Sequence, residues 1–313
     1  MKIFKTLGFA ALAVIAVPAI TSCKDDEPNG ANDADKAIVD FDGERLTNIG
    51  SYNFEYDKEG RLVEIYGSSV ELEIDYSKGK IEADDEEGTI KFNGKGYVSE
   101  LSASWEEYEE SYGEVYQYKG SGTMKYSYDS NGHLTSISAS SKETGKYDGE
   151  TSTWETNYTT TLKWNNGNLT RATLSGWEKE DGEKYNFTED YTISYDNEVN
   201  TFKQIPVSLS NYIYADDGLN LLASVGLFGK GPENFPTGYE EHDIYDDDDY
   251  DYNYTLSMSF ILNDNGSIRQ ERSDYFTYGY GYTSYSTRSE FFQTDSQKKI
   301  NLRKMFVKKH NNK

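Results

Sequence analysis

The residues that could do chemistry are few in kind. The chain has three histidines, His133, His242 and His310, one cysteine, Cys23, and 55 Asp plus Glu. Nucleophilic catalysis of the Ser-His-acid type needs a histidine beside a hydroxyl or thiol. His133 flanks a Gly-containing turn, His242 precedes Asp243 in an acidic stretch, and His310 sits in the tail, so the sequence offers no such constellation and no histidine spacing for zinc. The carboxylates are too numerous for spacing to select a glycosidase-type pair. Asp246-Asp247-Asp248-Asp249 gathers hard oxygen ligands, so a Ca²⁺ near Asp246 and Asp248 is the cofactor such a run would take; an exposed acidic run is equally a solvated loop. The chain holds 28 Tyr. Tyr278, Tyr280 and Tyr282 alternate within YFTYGYGYTSY and could stack on a sugar ring; the same alternation suits packing within a sheet.

The N-terminus sets where this chemistry would be placed. Lys2 and Lys5 precede a mostly apolar run, 7–20, too short for a spanning helix and typical of a secretory signal. Ile20-Thr21-Ser22-Cys23 resembles a bacterial lipobox, which implies cleavage before Cys23, its acylation, and attachment to a membrane through the lipid. A lone cysteine also excludes an internal disulfide. Asp25, Asp26 and Glu27 follow, resembling the surface-export signal of Bacteroidetes lipoproteins; an outer-membrane, surface-exposed placement is expected, with the periplasmic face as the alternative. Residues 25–36 are polar and rich in turn formers, so the expected organisation is a signal peptide 1–22, a flexible leash 23–46 and one domain 47–313.

Without Lys2 and Lys5 the basic count falls from 31 to 29 against 55 acidic residues. That surface repels phosphate backbones, so nucleic acid is excluded as a partner.

The elements follow from a repeated phrase. Tyr126-Ser127-Tyr128 alternates as a strand with one buried face. Asp129-Ser130-Asn131-Gly132 is a turn, with Asp accepting backbone N–H groups and Gly taking a left-handed conformation. Tyr128 then lies opposite Leu134. Leu134 and Ile137 are three apart, as are Leu62/Ile65, Val98/Leu101 and Leu169/Ala172, and a bulge just past the turn puts both members of each pair on one face. The turn glycines Gly60, Gly96, Gly132 and Gly167 recur at intervals of 36, 36 and 35 residues. The polar segments 109–113, 142–149 and 178–182 read as looser turns at the other end. Strands are expected at 114–128, 133–141, 151–164, 168–178, 184–195, 252–262, 267–276 and 284–292, with a last one in 298–313. This is an all-β antiparallel meander of long strands, which closes into a barrel or barrel-like roll to hide its edges. Residues 207–228 hold one or two short helices.

Tyr56-Asp57-Lys58-Glu59-Gly60-Arg61-Leu62 resembles the tyrosine–aspartate repeats of secreted β-shell proteins. With the lipobox and the segment LASVGLFGKGPENFP (222–236), the chain is more similar to a group of Bacteroidetes lipoproteins of unknown function with a porin-like fold. The resemblance implies a barrel-like β fold and no activity or site residue. Faces carrying Lys125, Ser127, Lys163, Glu71, Glu73 and Asp75 are unlike the apolar outer band of a membrane barrel. Three functions stand: a non-enzymatic binding lipoprotein whose partner is a glycan or an envelope or host protein, a structural or assembly lipoprotein, and a carboxylate-based or Ca²⁺-dependent hydrolase. The first is the expected one.

Overall fold

The structure, a computed structural model, describes residues 34–67, 70–83, 86–111, 114–147, 150–213, 219–245 and 252–284. Short strands come first: β1 (Glu44–Ile49), β2 (Tyr52–Tyr56), β3 (Leu62–Gly67), β4 (Val70–Asp75), β5 (Lys80–Ala83) and β6 (Glu86–Phe92). Long strands follow: β7 (Val98–Ser111), β8 (Glu114–Tyr128), β9 (Leu134–Tyr147), β10 (Glu150–Asn165), β11 (Asn168–Glu180) and β12 (Glu183–Val199). Helices α1 (Val207–Ile213) and α2 (Leu219–Ser224) interrupt the meander before β13 (Asn234–Tyr245), β14 (Tyr252–Leu262), β15 (Ile268–Ser273) and β16 (Thr277–Ser284). Every strand pairs antiparallel with its neighbours in sequence, and β16 returns to β1 to close the barrel.

The expected hairpin chemistry is present. Gly60, Gly96, Gly132 and Gly167 have φ of 82°, 83°, 93° and 75°. Tyr56 pairs with Leu62 and Tyr128 with Leu134, each beside a register shift just past the turn. The shift turns both Leu134 and Ile137 inward, at 0 % and 2 % exposure. Asp57 and Asp129 play the same part in their turns: each accepts the backbone N–H four residues on, from Arg61 and His133.

The tight turns gather at one end, and that end is filled. The α1 and α2 segment packs beneath it, with Leu209, Leu219, Leu222, Leu227 and Phe228 fully buried. Leu227 accepts the N–H of Val98, while Lys230 and Glu233 donate to the carbonyls of Gly132 and Gly167. Phe228 lies against the ring of Tyr126, with centroids 4.7 Å apart. Residues before β1 join this plug: Val39 donates to Val225, and Phe41 packs on Phe202 and Tyr282.

The structure corrects several boundaries. The packed domain begins before residue 47, because Ala34, Ala37, Ile38 and Phe41 are buried and β1 starts at Glu44. The segments expected as looser turns are mostly strand: β9 runs on to Tyr147 and β11 to Glu180. Their basic residues Lys142, Lys146 and Lys179 occupy the outer face, which an antiparallel sheet exposed to water accommodates, while Glu143, Glu178 and Glu180 alternate onto the inner one. β12 continues past Asp196 to Val199. β15 ends at Ser273, and the aromatic row expected beyond it becomes β16. Most of 284–292, and all of 298–313, lie outside the described residues.

The wall is uneven. β12 has 17 residues and β5 has four, so at about 3.3 Å per residue one side stands some 40 Å taller along the strand direction than the other. β6 pairs with β7 only as far as Gly88 opposite Ala103. Beyond that register β7–β12 rise as an open, curved sheet.

Candidate functional site

The tyrosines singled out for ligand stacking alternate on the inner face of β16, and two of them are committed to packing. Tyr280 is 7 % exposed and donates to Glu271 Oε2 at 2.5 Å. Glu271, fully buried, also accepts the backbone N–H groups of Val207 (3.1 Å) and Ser208 (2.7 Å), which latches α1 to β15. Burial raises the Glu271 carboxyl pKa, and these donors oppose the shift without cancelling it. Tyr282 donates to the carbonyl of Ile268 at 2.7 Å and packs edge-on against Phe41. Tyr278 is half-buried and stacks on Phe276. The open rings are Tyr275 and Phe276, 61 % and 49 % exposed in the β15–β16 turn. Tyr254 stacks on Tyr275 with centroids 6.0 Å apart, so an aromatic strip lines the rim away from the plug.

Sequence reasoning missed the inner face of the tall wall. Trp105 on β7, Gly120 on β8, Glu143 on β9, Trp154 on β10, Glu180 on β11 and Glu183 on β12 are successive cross-strand partners, one line across the sheet. The Trp105 indole lies flat on Gly120, where a Cβ would come within 2.5 Å of the ring. It reaches over that glycine to donate Nε1–H to Glu143 Oε2 at 2.9 Å. Trp154 repeats the device, lying against Gly145 and donating to Glu180 Oε1 at 3.0 Å. Trp105 and Glu143 are buried, Trp154 and Tyr118 partly open, and Glu180 exposed. One register step toward the plug the line becomes small and polar at Gly122, Ser141 and Thr156, and then apolar at Leu101, Met124 and Ala139. The only sequence signal was strand alternation at these positions, with Gly inside a strand marking a close approach.

Glu189 and Glu241 both contact the Tyr191 hydroxyl at 2.9 Å. Burial, then the charge of these two carboxylates, pushes the Tyr191 pKa far up, so the phenol keeps its proton and donates it to one of them. The hydroxyl fills the space between the two acids, where a glycosidic bond would have to lie.

The two described histidines, His133 and His242, serve the scaffold. His133 Nδ1 meets Asp129 at 3.1 Å and the ring stacks on Trp164 at 4.3 Å. Arg61 takes the same place in its own repeat, on Asp57. Burial raises the Asp129 carboxyl, and the His133 N–H and ring together outweigh it, so its pKa lies below the ordinary value. His242 Nδ1 bonds Asn253 Oδ1. His310 lies outside the described residues, as do Cys23, Asp246 and Asp248.

On the outer face, Glu55, Glu64, Glu73, Glu82 and Glu87 stand directly opposite one another across β2–β6. Glu64, Glu71 and Glu73 each bring an oxygen within 4.8 Å of the others, a donor set suited to a hard divalent cation. Burial, then Glu55, Glu73 and Glu71, raises the Glu64 pKa to about 7.

No family model and no curated protein matches the chain. Among solved structures it is similar to a porin-like protein from Bacteroides vulgatus, at 15 % identity and a TM-score of 0.48, over 76 % of this chain and 98 % of that one. A porin-like protein from Bacteroides uniformis also matches, at 13 % identity and a TM-score of 0.25, over 76 % and 97 %.

Proposed function

We propose that the protein is a lipid-anchored envelope protein, attached through Cys23, whose barrel is a non-enzymatic binding domain. The observation that supports this most is the polarity of the wall. The outward residues of β8–β12 include Lys125, Ser127, Asn157, Lys163, Arg171, Ser175, Asn186 and Ser194, all exposed. A barrel that spans a bilayer needs an apolar outer band instead. The plug end is packed with apolar side chains, which does not suit a conduction path. The chain enters the fold at that same end, so an anchor on Cys23 leaves the aromatic rim and the inner face of β7–β12 directed away from the membrane. His133, His242 and the Glu189–Tyr191–Glu241 cluster are engaged within the scaffold, which favours binding over turnover.

Fractionation tests the reading. The wild-type chain, expressed in a bacterium that acylates lipoproteins, partitions with membranes, and Cys23→Ala moves it to the soluble fraction in folded form. A Cys23→Ala chain that stays in the membrane through carbonate extraction means that the barrel itself is embedded, and the reading fails.

A further inference from the structure

We propose that the inner face of the tall wall is a saccharide-binding surface, with the Trp154 ring as stacking platform and the Glu180 and Glu178 carboxylates as acceptors for hydroxyls of a neutral pyranose. This rests on the binding reading above and names its ligand class.

The wall at this height is the edge of the core: Trp105 is still buried, whereas Trp154 and Tyr118 are partly open and Glu180 is exposed. It rises beyond the last β6–β7 pair, Gly88 with Ala103. A sheet that needed only to pack would place bulky aliphatics here, as it does nearer the plug. Instead Gly145 lets the Trp154 ring lie flush against the strand, with a would-be Cβ 2.7 Å from the ring. The bond to Glu180 then fixes its rotation. Trp105 on Gly120 is the buried version of the same arrangement and holds Glu143 beside Trp154. A rigid, flat, partly open indole edged by carboxylates matches a pyranose, whose C–H face meets the π-face while its equatorial hydroxyls donate in the ring plane.

The charge pattern selects among sugars. Every Lys and Arg of β8–β12, namely Lys119, Lys125, Lys142, Lys146, Lys163, Arg171, Lys179 and Lys184, alternates onto the outer face, opposite the buried positions. The inner face at the Trp154 level therefore carries Glu143, Glu178, Glu180 and Glu183 with no basic side chain among them. Such a face repels uronic-acid and sulfated glycans. A cation would also suit the carboxylates, but the tryptophan N–H groups already turn Glu143 and Glu180 toward the wall, and the partly open Trp154 face is better fitted to a ring than to a point charge.

The test is a panel of neutral, uronic and sulfated polysaccharides against the full chain in a non-glycosidic detergent, by calorimetry and tryptophan fluorescence. Wild type binds one or more neutral glycans and no anionic one. Trp154→Ala weakens binding at least tenfold. Trp154→Phe keeps a ring, holds affinity within threefold and abolishes the ligand-induced fluorescence change. Glu180→Ala removes the acceptor that fixes the indole and takes sugar hydroxyls, and weakens binding at least threefold. Tyr275→Ala, on the same rim but in the β15–β16 turn, changes affinity less than twofold. If Trp154→Ala does not fold, Trp154→Phe and Glu180→Ala carry the decision. Absence of neutral-glycan binding, binding unchanged in Trp154→Ala, or preference for a polyamine that Glu180→Gln abolishes overturns the assignment. A protein partner captured in place of a glycan overturns the sugar and leaves the binding reading standing. Cleavage of a bound glycan does the reverse.

Discussion

The Tyr128 hydroxyl donates to the backbone carbonyl of Val98 at 2.6 Å, linking the end of one repeat to the start of the one before it. The same bond recurs around the plug end: Tyr76 to Leu62, Trp164 Nε1 to Leu134, Tyr195 to Leu169 and Tyr282 to Ile268. Each acceptor is the second residue after a turn glycine, at the bulge, where the ladder is locally interrupted. A buried carbonyl there needs a donor. An aromatic with a polar tip supplies it while its ring fills the core, which gives the repeated phrase and part of the tyrosine content one physical cause. Tyr128→Phe removes the donor and leaves the Val98 carbonyl short of a partner, so it lowers stability by about 1–3 kcal/mol. Urea unfolding measures this, with Tyr275→Phe, exposed and in a turn, as the unchanged control.

Gly145 is a packing requirement of a different sort from the turn glycines. Its backbone is extended, and what forbids a side chain is the Trp154 ring at 2.7 Å and Tyr118 at 3.2 Å. Gly145→Ala therefore pushes Trp154 off the strand, at about 1–3 kcal/mol for overpacking. Gly132→Val costs about 1–3 kcal/mol by another route, a β-branched residue at φ 93°. Unfolding curves register both losses, and only Gly145→Ala shifts the tryptophan fluorescence of the folded state.

The sequence made the plug end legible and the opposite end obscure. Turns such as Asp129-Ser130-Asn131-Gly132 carry their own chemistry, so hairpins, glycine conformations and the Leu134/Ile137 bulge could be read locally. The wall above them depends on register between strands far apart in sequence. Trp105 and Glu143 meet only because both stand opposite Gly120. Nothing local marks that line. Tyr280 misled for a related reason: its alternation with Tyr278 and Tyr282 was visible, but alternation does not say which face is inside, and the partner Glu271 stands on another strand.

Glu271 ties α1 to the wall through three donors, so its removal acts on the plug. Glu271→Leu leaves the Ser208 N–H and the Tyr280 hydroxyl without their acceptor and the Val207 N–H with only the Tyr280 oxygen at 3.4 Å, at about 1–3 kcal/mol per buried donor left unpaired. Hydrogen exchange at 207–213 accelerates, while the amides of β8–β10 keep their protection. Uniform loss of protection across the barrel means that the latch and the barrel unfold together, contrary to this expectation.

Glu64 gives the barrel a pH dependence with an uncommon sign. Its carboxyl sits between Glu55 and Glu73, direct cross-strand partners on β2 and β4, with Glu71 adjacent. Its folded pKa is raised to about 7, against roughly 4.3 in an unfolded chain. Between those values the folded state binds a proton that the unfolded state does not, so stability falls as pH rises. The contribution is complete below the unfolded value and gone once pH passes the folded one. Carboxylates with depressed pKa values, among them Asp75 through its bonds to Lys78 and Ser77, Asp129 through His133 and Asp190 through Arg171, act in the opposite sense but only at acid pH, below this window. Melting temperature therefore drops between pH 5.5 and 8. Glu64→Gln, neutral throughout, raises stability at pH 8 and flattens that slope. An unchanged slope in Glu64→Gln assigns the titration to another group.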